Sequence, residues 1–293
     1  MRVVVTGASG LVGRYVAADL HARGYEVICA DSTALASSPG RAMTGDLTDF
    51  AQAETAVAGA DVLIHLARVQ FPYTWAGYDA ATHTWKKPDR TGDAAKFNTN
   101  LAITNNVLTA ALAAGVKKIV MGSSCTVYGL YYPSRPVLPH YLPIDEQHPR
   151  NPDDPYSLTK LIGEQLTEAC VLGNPMQIAS LRFPGVSGED HSGFTEKRKD
   201  PMARGIGGLW SYLDVRDAAA ACRLAFEQDF SGHEAFNICA PMTFMPTPSA
   251  QLFQRYLPGV KILDGVREQN WAGYDTQKAK TLLGFEARHL LAF

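Results

Sequence analysis

A short run of apolar β-branched residues, Val3–Val5, leads through Thr6-Gly7-Ala8-Ser9-Gly10-Leu11-Val12-Gly13 into a helical pattern that continues to Arg23. No other feature restricts the fold as tightly. A buried strand that turns on glycines straight into a helix is joined to its neighbour by a crossover, and crossovers make parallel sheets. The same order then repeats along the first half. Tyr25–Ala30, Asp61–Leu66 and Lys117–Met121 are rich in Val and Ile with little alternation, as strands buried on both faces are. Phe50–Val57 and Phe97–Ala114 carry helical spacing, and Gly24, Gly59 and Gly115 fall where helix C-terminal caps are expected. The expected fold is α/β: a Rossmann-like, doubly wound parallel sheet with right-handed crossovers and a small C-terminal substrate-binding lobe.

With 293 residues the chain has room for both parts. The expected boundaries are 1–182 for the sheet domain, with 213–240 returning to it, and 183–212 plus 241–293 for the lobe. A formal net charge of -2 gives no reason to expect nucleic acid or an anionic membrane as partner. The apolar runs are too short to span a bilayer, and a strand opening at Arg2 leaves no room for a signal peptide. The cysteines Cys29, Cys125, Cys170, Cys222 and Cys239 are scattered, without metal-ligand spacing. Reduced thiols in a cytoplasmic protein, with no metal, are the expectation.

Two stretches break the strand–helix rhythm. Arg68–Lys96 is polar and aromatic, with Phe71, Tyr73, Trp75, Tyr78 and Trp85 but no period; Leu130–Pro155 holds seven prolines, Pro133 and Pro136 among them. Each follows a strand whose C-terminal end opens on the ligand crevice of such a sheet, so both are read as walls of a binding site.

Gly7, Gly10 and Gly13 are spaced GxxGxxG at the first strand–helix junction. Glycines there allow a tight turn and let backbone N–H groups approach a pyrophosphate at the helix N-terminus. Gly7, Ser9, Gly10, Leu11, Val12 and Gly13 are therefore expected to hold a dinucleotide. Asp31, closing the second strand, stands where a carboxylate binds the adenosine ribose hydroxyls and repels a 2′-phosphate. That favours NAD over NADP, although Arg14 or Arg41 nearby offers a partner for such a phosphate.

Asp154-Pro155-Tyr156 begins a helix running to about Leu172, with Leu158, Leu161, Ile162, Leu166 and Ala169 as its apolar stripe. Tyr156 and Lys160, four residues apart, share the opposite face near Gly163. A lysine beside a phenol favours the phenolate, so Tyr156 can exchange a proton with substrate. Alone the pair is equally an exposed helical pair. Strand Lys117–Met121, however, leads into Gly122-Ser123-Ser124-Cys125-Thr126, bringing Ser124 to a strand's C-terminal end where its hydroxyl can bond a carbonyl or alcohol oxygen.

Taken together these motifs resemble the extended short-chain dehydrogenase/reductases of the NAD-dependent epimerase/dehydratase family. The matching pieces are Thr6–Gly13, Asp46-Leu47, Ile64–Ala67, Asn100, Ser123–Gly129, Tyr156–Lys160, Leu181–Pro184, Leu213–Asp217 and Asp275–Lys278 with Leu283–Phe285. The resemblance implies NAD as cofactor, Asp46 and Leu47 beside adenine, and Leu66 and Ala67 along the cofactor's centre. It implies Lys160 on the nicotinamide ribose, Pro184 beside the carboxamide, and Asn100 ordering the site as a fourth catalytic and cofactor residue. Substrate contacts are expected from Ser124, Cys125, Thr126 and Arg182, with Tyr128 under the substrate and His65 as strand packing. A homodimer through the helices at Phe97–Ala114 and Tyr156–Leu172 is also implied.

Such members either release reduced cofactor or return the hydride to the same substrate, and Ser124, Tyr156 and Lys160 serve both. Only Gly185–Tyr212 separates Pro184 from Leu213, shorter than the segment that helps bind nucleotide in nucleotide-sugar members. The expected reaction is hydride transfer between NAD and a small secondary alcohol such as a sugar, sugar acid or polyol. A sugar or nucleotide-sugar epimerase is the alternative, and a non-catalytic dinucleotide sensor a third reading. The basic run Lys197–Lys199, with Arg204, reads either as a solvated loop or as an attraction for an anionic substrate.

Overall fold

A computed structural model describes residues 1–35, 37–70, 92–131, 137–199, 206–264 and 269–292, with the backbone of 78–79 and 84–85. Phe71, Tyr73, Trp75, Pro133, Pro136 and Arg204 lie outside the described residues. In chain order the elements are β1 Arg2–Thr6, α1 Leu11–Ala22, β2 Glu26–Asp31, β3 Arg41–Thr44, α2 Phe50–Val57 and β4 Val62–His65. Then come β5 Tyr78–Asp79, β6 Thr84–Trp85, α3 Asp93–Ala113, β7 Lys118–Ser124, β8 Tyr141–Leu142, α4 Pro155–Val171 and β9 Gln177–Phe183. The chain continues through β10 Gly185–Ser187, α5 Ser192–Arg198, β11 Tyr212–Asp214, α6 Val215–Glu227, β12 Gly232–Asn237, α7 Ser249–Tyr256, β13 Lys261–Ile262 and α8 Gln277–Leu283.

The continuous apolar strands pair in parallel into one seven-stranded sheet of order β12-β9-β7-β4-β1-β2-β3. Helices cover both faces, which is why β1, β4 and β9 are buried on both sides. On one face α1 and α6 pack around Val3, Val5, Leu20, Phe226 and Phe236. On the other, α2, α3 and α4 close over Val4, Leu63, Val107, Ile119 and Ile178.

A third apolar cluster gathers Leu142, Trp210, Tyr212, Phe253, Trp271 and Tyr274. It draws in Cys125, Val127 and Tyr128 from the turn after β7, outside the lobe boundaries expected from the sequence. Conversely, α8 with Leu283 and Phe285 packs into the main core beside α6, because those apolar side chains complete the cluster around Phe236. Other elements also depart from expectation. β3 is a mostly exposed edge strand with no apolar run to betray it, α3 begins at Asp93 rather than Phe97, and β7 runs on to Ser124.

Candidate active site

Strand order reverses at β1, with β2 on one side and β4 on the other, and a parallel sheet opens a crevice at such a point. A crevice of about 1430 Å³ lies there, at the C-terminal ends of β1, β2, β4, β7 and β9. Its floor depends on Gly7, which adopts φ +72°; a Cβ there would stand 2.6 Å from the Ala67 nitrogen. Any other residue at position 7 would push the loop after β4 away from the turn after β1. Gly10 gives α1 no side-chain cap, so the N–H groups of its first turn are left for a ligand.

At one end of the crevice, Asp31 accepts hydrogen bonds from Ser9 N–H at 2.9 Å and Thr33 N–H at 3.0 Å. Asp46 accepts the N–H and hydroxyl of Thr48, bonds that hold its carboxyl below the usual range. The rims are tied to α3. Asn106 donates to the carbonyls of Leu47 and Thr48 at 3.2 and 2.9 Å, and Asn100 clamps Val69, accepting its N–H at 2.7 Å and donating to its carbonyl at 3.1 Å.

At the other end stand Ser124, Tyr156 and Lys160. Asp154 caps α4 by accepting from Ser157 N–H at 2.9 Å, and Pro155 opens the first turn, which fixes where Tyr156 emerges. Lys160, one turn on, donates to the Gly122 carbonyl at 2.7 Å. Burial, followed by the charge of Arg68, depresses its ammonium to about 7. Beneath it His65 is held to about 3 by burial and by Lys160, and bonds Thr6 Oγ1 at 2.8 Å. Ser124 accepts from Thr126 N–H at 3.2 Å, and its hydroxyl lies 3.4 Å from the Phe183 carbonyl.

A third residue of the Tyr156–Lys160 stripe, Glu164, anchors the helix. It is fully buried and accepts Ser123 Oγ at 2.5 Å, Arg182 Nε and Nη2 at 2.9 and 2.8 Å, and Arg150 Nη1 at 2.8 Å. Burial alone would raise this carboxyl, but the bonds from Arg182, Ser123 and Arg150 hold it low. α4 is thereby pinned to both β7 and β9.

Of the residues expected at the site, all line the crevice except Asn100, Cys125, Tyr128 and Arg182. Arg182 was expected to touch substrate; instead its guanidinium is buried against Glu164 and the Tyr128 hydroxyl, at 2.8 Å from the latter. Side chains alternate along a strand, so Phe183 faces the crevice and Arg182 faces away. Cys125 likewise turns inward, its thiol 3.3 Å from the Arg182 carbonyl and pushed well up by burial. Asn100 uses its amide oxygen and one N–H on Val69, which positions a crevice wall. Arg68 and Tyr131, inside the stretches read as walls but not singled out, and Ser123, given no role, line the crevice, and the rim clamp Asn106 went unread. Arg68 was discoverable, since it directly follows the Ile64–Ala67 motif at a strand's C-terminal end.

Fold and crevice together define a dinucleotide-dependent enzyme of short-chain dehydrogenase/reductase architecture. Residues 3–239 match the NAD dependent epimerase/dehydratase family, and the chain belongs to that family, with NAD as its cofactor. It is 30% identical over 229 residues to a UDP-glucose 4-epimerase of Bacillus subtilis, covering 73% of this chain and 64% of that one. With a UDP-glucose 4-epimerase of Rhizobium meliloti it shares 27% over 208 residues, 70% of this chain and 57% of that one. The chain thus spans less than two thirds of the length of these relatives. Among solved structures it is similar to a short-chain dehydrogenase/reductase superfamily protein from Agrobacterium tumefaciens with bound NAD, at TM-score 0.70 and 24% identity, covering 98% and 93% of the two chains. It also resembles a mutated uronate dehydrogenase, at TM-score 0.66 and 22% identity over 98% and 81%. Among the described residues no helix is long and apolar enough to cross a membrane.

Proposed function

We propose that the protein is an NAD-dependent oxidoreductase acting on a small secondary alcohol. One observation carries the reading: Ser124 from β7 and Tyr156 and Lys160 from one face of α4 line the same crevice as Pro184 and the glycine turn. The uncapped start of α1 and the close approach at Gly7 suit a pyrophosphate, and Asp31 at the far end suits ribose hydroxyls. Gly10, Leu11, Val12, Asp46, Leu47, Leu66, Ala67 and Pro184 would complete the cofactor's wall. NAD supplies the hydride acceptor. Ser124 Oγ holds the substrate oxygen, and Tyr156 Oη takes the hydroxyl proton. Lys160 at about 7 keeps or yields a proton near neutrality.

Release of reduced cofactor is favoured by the short segment between β10 and β11, which holds α5 and a short 3-10 turn at Ile206–Gly208 among its described residues. The curated relatives are named UDP-glucose 4-epimerases, and that supports the second reading, hydride returned to the same sugar. Purified protein with excess NAD and a panel of alcohols separates the two. Net NADH formation supports the oxidoreductase; interconversion of UDP-glucose and UDP-galactose on tightly held NAD, without net NADH, sinks it. A homodimer pairing α3 and α4 with their copies is part of the proposal, and light scattering tests it.

A further inference from the structure

We propose that Tyr131 sets the size of the substrate. Its ring, stopped against Gly208, ends the crevice on the reacting side, so the enzyme takes a free sugar or a smaller alcohol and refuses one that carries a second sugar or a nucleotide. The inference rests on the oxidoreductase reading, with Ser124, Tyr156 and Lys160 as the reacting end. Tyr131 both lines the crevice and packs on the third apolar cluster, which makes it a partition between them. Strand order fixes where that partition stands. Ser124 and Phe183 are paired at the C-terminal ends of β7 and β9, Tyr131 lies on the chain that continues from the first, and Gly208 on the chain that continues from the second.

The contact that holds the partition is close. A Cβ on Gly208 would stand 2.7 Å from the Tyr131 hydroxyl oxygen, 2.9 Å from Cζ and 3.1 Å from Cε1. The end of the ring therefore reaches the Gly208 main chain, and only glycine lets it. Gly208 is buried and outside the crevice lining, so Tyr131 lies between it and the open space. Nor can the Gly208 turn retreat. Leu209 and Trp210, which follow it, both take φ +52°, a conformation that side chains of this size keep only where packing over-determines it. Leu209 fills the space that a Cβ on Gly273 would need, and Trp210 is fully buried with its ring against Phe253 and Tyr256. The Ser211 N–H closes the turn on the Gly208 carbonyl at 3.0 Å.

A stiff wall at this point acts on a substrate through its length. Carbons beyond the reacting carbinol on this side run up to the Tyr131 ring, and the space behind the ring is already filled by Phe194, Leu209, Trp210 and Tyr274. Gly208 also offers a handle on the wall that leaves the crevice lining untouched. Its φ lies outside the left-handed region, so alanine is opposed there by the Tyr131 ring and not by the backbone. The added methyl must stand about 3.5–4.0 Å from the ring carbons, which drives the ring roughly 1 Å away from Gly208 and into the crevice. Removing the ring does the opposite and opens the crevice towards Gly208.

The test follows NADH formation with excess NAD from four-carbon polyols, free six-carbon sugars and sugar acids, disaccharides and UDP-glucose. In wild type, kcat/KM for the free sugars is expected to exceed that for disaccharides and UDP-glucose by roughly 100-fold, the scale of steric discrimination by a fitted pocket. In Tyr131→Ala that ratio falls by roughly 10-fold or more. In Gly208→Ala the six-carbon substrates lose roughly 10-fold against the four-carbon ones, mainly through KM. The double variant behaves as Tyr131→Ala, since the methyl then has no ring to push. NADH binding by fluorescence, expected to persist in every variant, separates lost size selection from lost fold. Net NADH with size ratios that neither variant changes, or a Gly208→Ala loss that survives in the double variant, overturns this inference and leaves the oxidoreductase reading standing. Interconversion of UDP-glucose without net NADH overturns both. Without turnover, calorimetric titration into the NAD-loaded protein decides. Free sugars bound in preference to UDP-glucose, and more weakly in Gly208→Ala, keep this inference while the oxidoreductase reading falls; binding of UDP-glucose instead, or of neither, ends it.

Discussion

Replacing Glu164 by Gln tests how α4 is held. The carboxylate is 0% exposed and faces an Arg182 side chain that is 2% exposed, with both guanidinium contacts under 3 Å. Glutamine keeps the shape but loses the charge, and its NH2 group presents hydrogens to a guanidinium that also only donates. Arg182 then remains buried and uncompensated apart from the Tyr128 hydroxyl and the Glu146 carbonyl. Removing one member of a buried pair costs about 3–5 kcal/mol. Arg150 adds little, because at 29% exposure it returns to water. Urea unfolding at pH 7 should therefore show a loss of about 3–5 kcal/mol for Glu164→Gln. Glu168→Gln, at a carboxylate 45% exposed and 3.4 Å from Arg150, should stay within about 0.5 kcal/mol of wild type. The folded Glu164 carboxyl lies below its unfolded value, so its contribution is complete above the unfolded pKa and fades as pH falls through the folded one. The gap between wild type and Glu164→Gln should narrow below about pH 4. A loss under 1 kcal/mol at pH 7 would refute the reasoning, as would a gap that does not narrow in acid.

Lys160 runs with the opposite sign of charge: its folded value of about 7 lies below the unfolded one, so stability rises with pH between the two. In cofactor-free protein Lys160→Met should be more stable than wild type by a few kcal/mol at pH 7, and the gain should vanish by about pH 10.5, read by denaturation at each pH. Tyr156→Phe should lower kcat by about 100-fold or more while NADH binding, followed by fluorescence, persists. Gly7→Ala should abolish that binding and lower Tm, since its Cβ meets the Ala67 backbone and the position requires positive φ; NADH affinity equal to wild type would contradict it.

The sheet was legible because strands buried on both faces leave unbroken apolar runs, and Gly7 because a strand–turn–helix junction admits few residues. β3 escaped because an exposed edge strand, Arg41–Thr44, carries no such run. Motif position brought Arg182 to the neighbourhood of the site but could not say which way it points; the two-residue alternation of β9, and the pull of Glu164 eighteen residues earlier, turn it inward. Cys125 failed for a related reason, since the turn after β7 feeds the third apolar cluster as well as the crevice. Arg68 stands by the Tyr156 ring from the loop after β4, and only the fold brings these distant segments to one place.

The asparagines of α3 grip main-chain atoms alone: the amide and carbonyl of Val69, and the carbonyls of Leu47 and Thr48. A peptide group is the same whatever side chain it bears. Both rims can therefore exchange their residues, and with them the groups offered to a ligand, while their path is kept by two side chains on one rigid rod. Changes of specificity at positions 47, 48 and 69 should come without remodelling the crevice, whereas a change at Asn100 or Asn106 would loosen whatever residues the rims carry.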